Sequence, residues 1–229
     1  MQRKKASYFR SNKLLAGVAA EDLDRLATRS EVIRVSRRSS VWTPRSPLDS
    51  VYWIRSGVVR VVGQVQSKRE LTLRFHTKGQ LFGEESLFGA GSRSTIAEAQ
   101  ADAVVYVTPA NEVLGLLRRN GDVALRIASV ISSRASRLEA RLGGVTFLSA
   151  PSRLAALYLE LAEDFGVRDS RGVIINLRLT HKEMASLIGV TRETVSFCVL
   201  DMRKEGLIET EGKRVVLLNA KRLRKMAEL

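Results

Sequence analysis

Thr180-His181-Lys182-Glu183-Met184-Ala185-Ser186-Leu187-Ile188-Gly189-Val190-Thr191-Arg192-Glu193-Thr194-Val195-Ser196-Phe197 is the stretch that decides the fold of the C-terminal third. Thr180 with Glu183 three residues later has the capping-box form, in which the hydroxyl serves one orphan helix amide and the carboxylate reaches back to another. The helix it opens buries Met184, Ala185, Leu187 and Ile188. Gly189 can take the positive φ of a sharp turn, and the small Ala185 lets a second helix cross closely. Thr191 caps that second helix, which buries Val195, Val199 and Met202 and ends at Gly206. Leu207–Thr210 and Val215–Leu218, joined about Glu211-Gly212, then read as two strands on a tight turn, a wing.

A helix-turn-helix presents the first residues of its second helix to base edges in the major groove. Those residues are Arg192, Glu193, Ser196 and Phe197. Arginine can donate two bonds to guanine O6 and N7, and glutamate can accept from cytosine N4. A carboxylate facing DNA lowers nonspecific affinity, so Glu193 points to direct reading of a base. Thr180, Thr191, Thr194 and the wing's Lys213 or Arg214 suit phosphates, contacts that position a domain without reading sequence. The competing reading is an ordinary helical hairpin with a solvated Arg-Glu face. The two caps, the Ala/Gly spacing and the wing favour the DNA reader.

Composition agrees only in part. The 229 residues, 45% hydrophobic, can bury a real core, and the formal net charge of +14 favours polyanions. Yet residues 151–229 carry 14 basic against 11 acidic side chains, so most of the excess lies upstream of the motif. The basic start, Arg3-Lys4-Lys5, is followed by polar residues rather than an apolar core, which argues against a signal peptide, and Arg3, Lys4, Lys5, Arg10 and Lys13 read as a solvated tail. No apolar run is long enough to cross a bilayer. Cys198 is the lone cysteine, which excludes an internal disulfide, and a cytoplasmic location is expected. Cys198 reads as a small core or surface thiol, with a redox switch as the alternative.

Upstream, residues from about 32 to 108 read as short strands. Leu71, Leu73 and Phe75 alternate with Thr72 and Arg74, and Val51–Ile54, Val58–Val62, Thr95–Ala99 and Val104–Val107 are further candidates. Ala20–Ala27 reads as a short helix before them. Thr108-Pro109 has the form of a cap and first helical residue. A longer helix is expected from Asp122 to Leu142, with Ile127, Ile131, Arg134, Leu138, Leu142 and Val145 spaced close to a heptad seam, broken in character by Arg134. Gly143-Gly144 suggests a hinge, and Ser149 caps the helix that follows.

In this order of parts the chain resembles the cyclic-AMP receptor protein and fumarate–nitrate regulator superfamily. Thr191-Arg192-Glu193-Thr194-Val195 looks like that family's recognition-helix signature, although Phe197 stands where the family commonly has a further arginine. Phenylalanine can touch a thymine methyl but cannot recognise guanine. A second stretch, Phe82-Gly83-Glu84-Glu85-Ser86-Leu87-Phe88 through Gly91-Ser92-Arg93-Ser94, looks like its phosphate-binding cassette. Gly83 lets backbone approach a phosphate, Arg93 supplies charge and a fork of donors, and Ser94 adds a hydroxyl. In the family the residue matching Glu84 holds the ribose 2′-hydroxyl. Leu138 and Glu139 replace the hydroxyl residues that would meet adenine. The alternative is a structural remnant in which Arg93 and Glu84 pair with each other.

The resemblance implies an α+β chain with a β-roll over residues 1–120, a dimerisation helix and hinge over 121–148, and a winged helix-turn-helix over 149–229. It implies a homodimer on a two-fold symmetric site in double-stranded DNA, contact with RNA polymerase, and gating by cyclic AMP or cyclic GMP. Two variants stay open, a ligand-independent regulator and a nucleotide-binding module that acts on a partner protein. His181 reads as a surface or phosphate-contact residue, and His76 lacks a second ligand for a haem. No catalytic set, metal motif or phosphate-binding P-loop is present in the sequence, so no enzyme is expected.

Overall fold

The computed structural model describes residues 2–65, 69–89 and 91–228, so Ala90 of the cassette stretch lies outside it. Two compact units divide the chain, Met1–Arg134 and Ala135–Leu229.

The first unit begins with α1 (Gln2–Arg10), a 3-10 turn (Lys13–Leu15) and α2 (Ala20–Arg29). The N-terminus is therefore a packed helix and not the expected tail. Lys5, Tyr8 and Phe9 share one face and are buried, and the Lys5 ammonium donates to the Ser30 carbonyl at 2.6 Å. Next come β1 (Glu31–Val35), β2 (Ser40–Trp42), β3 (Ser50–Val65), β4 (Arg69–Thr77), β5 (Leu81–Phe82), the 3-10 turn Glu84–Leu87, β6 (Thr95–Pro109) and α3 (Ala110–Arg119). They form an antiparallel sheet in the order β1-β6-β3-β4, with β2 on β6 and β5 on β3.

The four short segments expected around Gly57 and Asp102 fuse into two long strands, β3 and β6. They stay paired from Ser50↔Pro109 to Gly63↔Thr95, with register shifts near Ser56 that bend the ribbon. Gly57 (φ +89°) permits this: a Cβ there would lie 2.3 Å from the Asp102 carbonyl oxygen. Alternation along β3 feeds two cores. Val51 and Trp53 join Phe9, Leu26 and Leu116 on the helical side, while Tyr52, Ile54, Val59 and Val61 meet Trp42 and Phe82 within the roll. Thr108 is not a helix cap. It stays in β6, where its hydroxyl accepts from Trp53 Nε1 at 3.1 Å and meets Ser30 Oγ at 2.7 Å, because the ladder with β3 continues through Pro109.

α4 spans Gly121–Phe147, so Gly143-Gly144 is helical and no break falls there. Tertiary contacts outweigh glycine's poor propensity: Arg141 pairs with Glu160 at 2.7 Å, and Gly144 packs near Leu148 and Arg153. The division between the two units falls inside α4, after Arg134. The expected seam is split: its first three residues pack into the first unit, while Leu138, Leu142 and Val145 are exposed at 45%, 63% and 53%. Ile127 is 1% exposed and lies in the first unit's own core with Ile131 packed against it, and Arg134 turns inward. Leu125, Ala128, Ser132, Ala135, Glu139, Leu142 and Thr146 are also exposed at heptad spacing.

The second unit adds α5 (Ala150–Phe165), β7 (Gly166–Asp169), β8 (Gly172–Ile175), α6 (His181–Ile188), α7 (Arg192–Lys204), β9 (Ile208–Glu211), β10 (Arg214–Leu217) and α8 (Ala220–Ala227). Ser149 caps α5 as expected. The wing strands belong to a four-stranded sheet, β7-β8-β10-β9.

Candidate nucleic-acid interface

α6 and α7 are set by their caps. Glu183 N donates to Thr180 Oγ1 at 3.3 Å, and Thr180 N donates to Glu183 Oε2 at 2.6 Å, which completes the capping box. Gly189 ends α6 at φ +68°. A Cβ there would meet nothing closer than 3.6 Å, so the turn needs glycine for its backbone angle and not for space. Thr191 Oγ1 accepts from Thr194 N at 3.2 Å and meets Thr194 Oγ1 at 3.0 Å. Val195, Cys198, Val199 and Met202 face inward. Burial raises the Cys198 thiol pKa, which makes it a packing residue and not a poised nucleophile.

The outer side of α7 carries Arg192, Glu193 and Phe197, the last 69% exposed. Arg192 and Glu193 make no side-chain hydrogen bond or ion pair with the described residues, so both are free to meet a partner. Ser196 is different: it is half-buried, and its hydroxyl lies 2.7 Å from His181 Nδ1. Thr180, Thr191 and Thr194 use their hydroxyls in the caps but sit at helix starts, where backbone amides point outward.

Lys213 is exposed at the wing turn, and its carbonyl accepts from Leu179 N at 3.1 Å, which fastens the wing beside the start of α6. Arg214 is half-buried opposite Glu211. Two features escape the sequence reading. Arg171, between β7 and β8, pairs with Asp169, Glu209 and Glu211, neutralising carboxylates that would otherwise repel phosphate from the wing. α8 packs on α5 through Leu223, and its basic residues Lys221, Arg222, Arg224 and Lys225 follow the wing. Residues 166–175 show no period-2 alternation, and the apolar run Val173-Ile174-Ile175 is the available signal for the first. The spacing of basic residues about Leu223 is the signal for the second.

The cassette is built but turned in on itself. Gly83 (φ +75°) starts the 3-10 turn, and a Cβ there would lie 2.8 Å from the Tyr52 ring and 3.3 Å from the Arg93 guanidinium. Arg93 pairs with Glu85, not with Glu84, and also donates to Ser50 O and Ser86 Oγ, each at 2.8 Å. Its guanidinium lies 4.0 Å from the Trp42 ring centroid. Glu84 is held by Arg134 at 2.8 Å and Arg74 at 3.3 Å. The Arg93–Glu84 pair of the structural-remnant alternative does not form, because successive residues of a 3-10 turn point about 120° apart. Ser94 is exposed beside buried Arg93. Rings fill the roll beneath: Trp42 stacks on Phe82 and Phe82 on His76, at 5.3 and 5.2 Å. Burial first, then the charges of Arg134 and Arg74, hold the His76 pKa well below its ordinary value.

A capped helix pair with a free Arg-Glu face, braced by a wing and following a β-roll, defines a winged helix-turn-helix transcription regulator. Residues 152–226 match the Crp-like helix-turn-helix domain, and residues 32–120 match the cyclic nucleotide-binding domain. The chain is 32% identical to the transcriptional regulator SdrP of Thermus thermophilus, over 80% of this chain and 86% of that one. It is 26% identical, over 93% and 96% of the two lengths, to the CRP-like cAMP-activated global transcriptional regulator of Mycobacterium tuberculosis. A solved CRP/FNR-family regulator from Thermus thermophilus superposes with a TM-score of 0.68 at 30% identity, covering 87% of this chain and 99% of the other. The chain belongs to the CRP/FNR family of transcription regulators. Among the described residues no helix is long and apolar enough to cross a membrane, and no group of three or more His, Cys, Asp or Glu gathers to hold a metal.

Proposed function

We propose that the protein is a cytoplasmic homodimer that binds a two-fold symmetric DNA site through α7 and regulates transcription in contact with RNA polymerase. The observation that carries this reading is the unpaired, exposed Arg192-Glu193 face at the capped start of α7. Arg192 and Glu193 read bases, Ser196 and Phe197 tune the choice, and Thr180, Thr191, Thr194, Lys213 and Arg214 meet phosphates. The exposed face of α4 that carries Leu138, Leu142 and Val145 joins the two protomers. Binding of random-sequence duplexes followed by sequencing tests the assignment. Arg192→Ala should cost about 1–3 kcal/mol on the selected site and relax one base pair in each half-site. An unchanged preference refutes it. Arg192→Glu should abolish site binding, whereas a module acting only on a partner protein would be indifferent to it.

For the roll, the geometry favours a domain held closed by its own side chains and a regulator that binds DNA without a cyclic nucleotide. Glu84 and Arg93 are the right residue types for a ribose and a phosphate, but Arg134, Arg74, Glu85 and Ser86 already engage them. One observation supports the second reading, cyclic AMP or cyclic GMP held by Gly83, Glu84, Arg93 and Ser94: Arg93 Nε is buried and lacks a hydrogen-bond partner among the described residues. Calorimetric titration with each nucleotide separates the two. No saturable heat, with DNA binding intact, supports the closed roll. One-per-subunit binding that Arg93→Ala removes establishes the nucleotide site.

A further inference from the structure

The geometry points to His181 as a positioning residue that commits the Ser196 hydroxyl and so sets the base preference at that position of the groove. This rests on the placement of α7 in DNA proposed above.

His181 is the first residue of α6, and Ser196 lies one turn into α7, a turn beyond Arg192 and next to exposed Phe197. His181 Nδ1 and Ser196 Oγ are 2.7 Å apart, and the same Oγ lies 3.0 Å from the Arg192 carbonyl oxygen. A serine hydroxyl has one proton and two lone pairs. Two arrangements are open. In the first, Nδ1–H donates to Ser196 and Ser196 donates to the Arg192 carbonyl, which satisfies both contacts. In the second, the ring proton sits on Nε2 and Ser196 donates to Nδ1, which leaves the Arg192 carbonyl contact without a hydrogen bond. Either way the hydroxyl proton is used inside the protein, and Ser196 shows the groove only an acceptor.

An acceptor selects bases by their exocyclic amines. Adenine N6 and cytosine N4 can donate to it, whereas guanine N7 and O6 and thymine O4 place an acceptor against an acceptor. Without His181 the hydroxyl keeps only the Arg192 carbonyl as an internal partner, a contact it can exchange for an acceptor edge, so it can serve either kind of edge. His181 would thus narrow what Ser196 reads while touching no base itself.

The test uses the full chain and synthetic duplexes. Site selection with the wild type and Ser196→Ala locates the base pair that depends on Ser196, and affinities are then measured with each of the four bases there. Wild type should favour adenine and cytosine by about fivefold, the weight of one net hydrogen bond. His181→Ala should reduce this to within about twofold, and should change nothing further in a Ser196→Ala background. His181→Asn keeps a hydrogen-bonding atom at the δ position and should restore the preference, while His181→Gln, with its polar atoms one bond further out, should not. If His181→Ala destabilises the fold, the Asn and Gln pair carries the comparison. A loss of affinity that is equal for all four bases overturns the inference and makes His181 a phosphate contact. If wild type selects no sequence, the DNA placement itself falls, and the His181 assignment with it.

Discussion

Arg134→Ala is the substitution whose cost can be worked most directly from the structure. The Arg134 guanidinium makes a 2.8 Å contact with Glu84 and donates to the Leu81 carbonyl at 2.7 Å, with both ion-pair partners mostly buried. A hydrogen bond involving a charged group contributes about 1.5–3 kcal/mol net, and removing one partner of a buried pair costs about 3–5 kcal/mol. Arg74 remains on Glu84 at 3.3 Å and its side chain is partly exposed, so part of the charge stays compensated. The expected loss is about 2–3 kcal/mol from the first unit. Glu84→Gln, which keeps an acceptor for Arg134, should cost about 1 kcal/mol. Because the two residues touch, the double variant should be less unstable than the sum of the two by about 1–2 kcal/mol. Urea unfolding followed by tryptophan fluorescence is the assay, since Trp42 and Trp53, the only tryptophans, both lie in the first unit and report on it alone. Strict additivity, or an Arg134→Ala cost below about 0.5 kcal/mol, would show that the contact does not hold the roll.

Three further outcomes are expected. His76 has a lowered pKa in the folded chain, so the unfolded state takes up a proton first as pH falls below about 6.5. Its contribution to stability should then decline by up to about 1.4 kcal/mol per pH unit until the folded group titrates. Urea midpoints of wild type and His76→Gln between pH 7 and 5 should therefore converge on acidification, and parallel curves would contradict the burial argument. Gly189→Ala should cost about 1–2 kcal/mol, for its φ alone. Gly57→Ala should cost more than about 3 kcal/mol, because its Cβ would strike the Asp102 carbonyl, and equal melting temperatures for the two would refute the distinction. Leu142→Asp places a charge on a residue 63% exposed in the protomer, so it should shift sedimentation from dimer to monomer without loss of helicity. An unchanged mass refutes the α4 interface.

The helix pair is legible in the residues alone because its signals are local. Thr180 with Glu183, Thr191 with Thr194 and Gly189 act within four residues of themselves, and each cap and turn forms at the position its residues indicate. The wing and the stretch Leu71–Phe75 also form strands, although the register shift beside Val62 leaves Leu71 exposed and buries Thr72 against the expected alternation. Two local signals mislead. Thr108-Pro109 has the form of a cap, yet pairing with Val51 and Ser50 keeps both residues in β6. Gly143-Gly144 reads as a hinge, yet helix contacts carry α4 through it.

By itself, then, the sequence determined the helix pair and its wing, the caps at Ser149, Thr180 and Thr191, the turn at Gly189 and the Arg192-Glu193 face, since hydrogen bonds and periodicity over a few residues specify them. Tertiary structure alone decided which partner each long polar side chain takes. Arg93 meets Glu85 and the Ser50 carbonyl, Arg134 reaches back along the chain to Glu84, Ile127 enters its own core, and His181 reaches Ser196 across the turn. These choices depend on atoms brought to hydrogen-bonding distance by the packing of distant segments, and neither spacing nor composition encodes that distance.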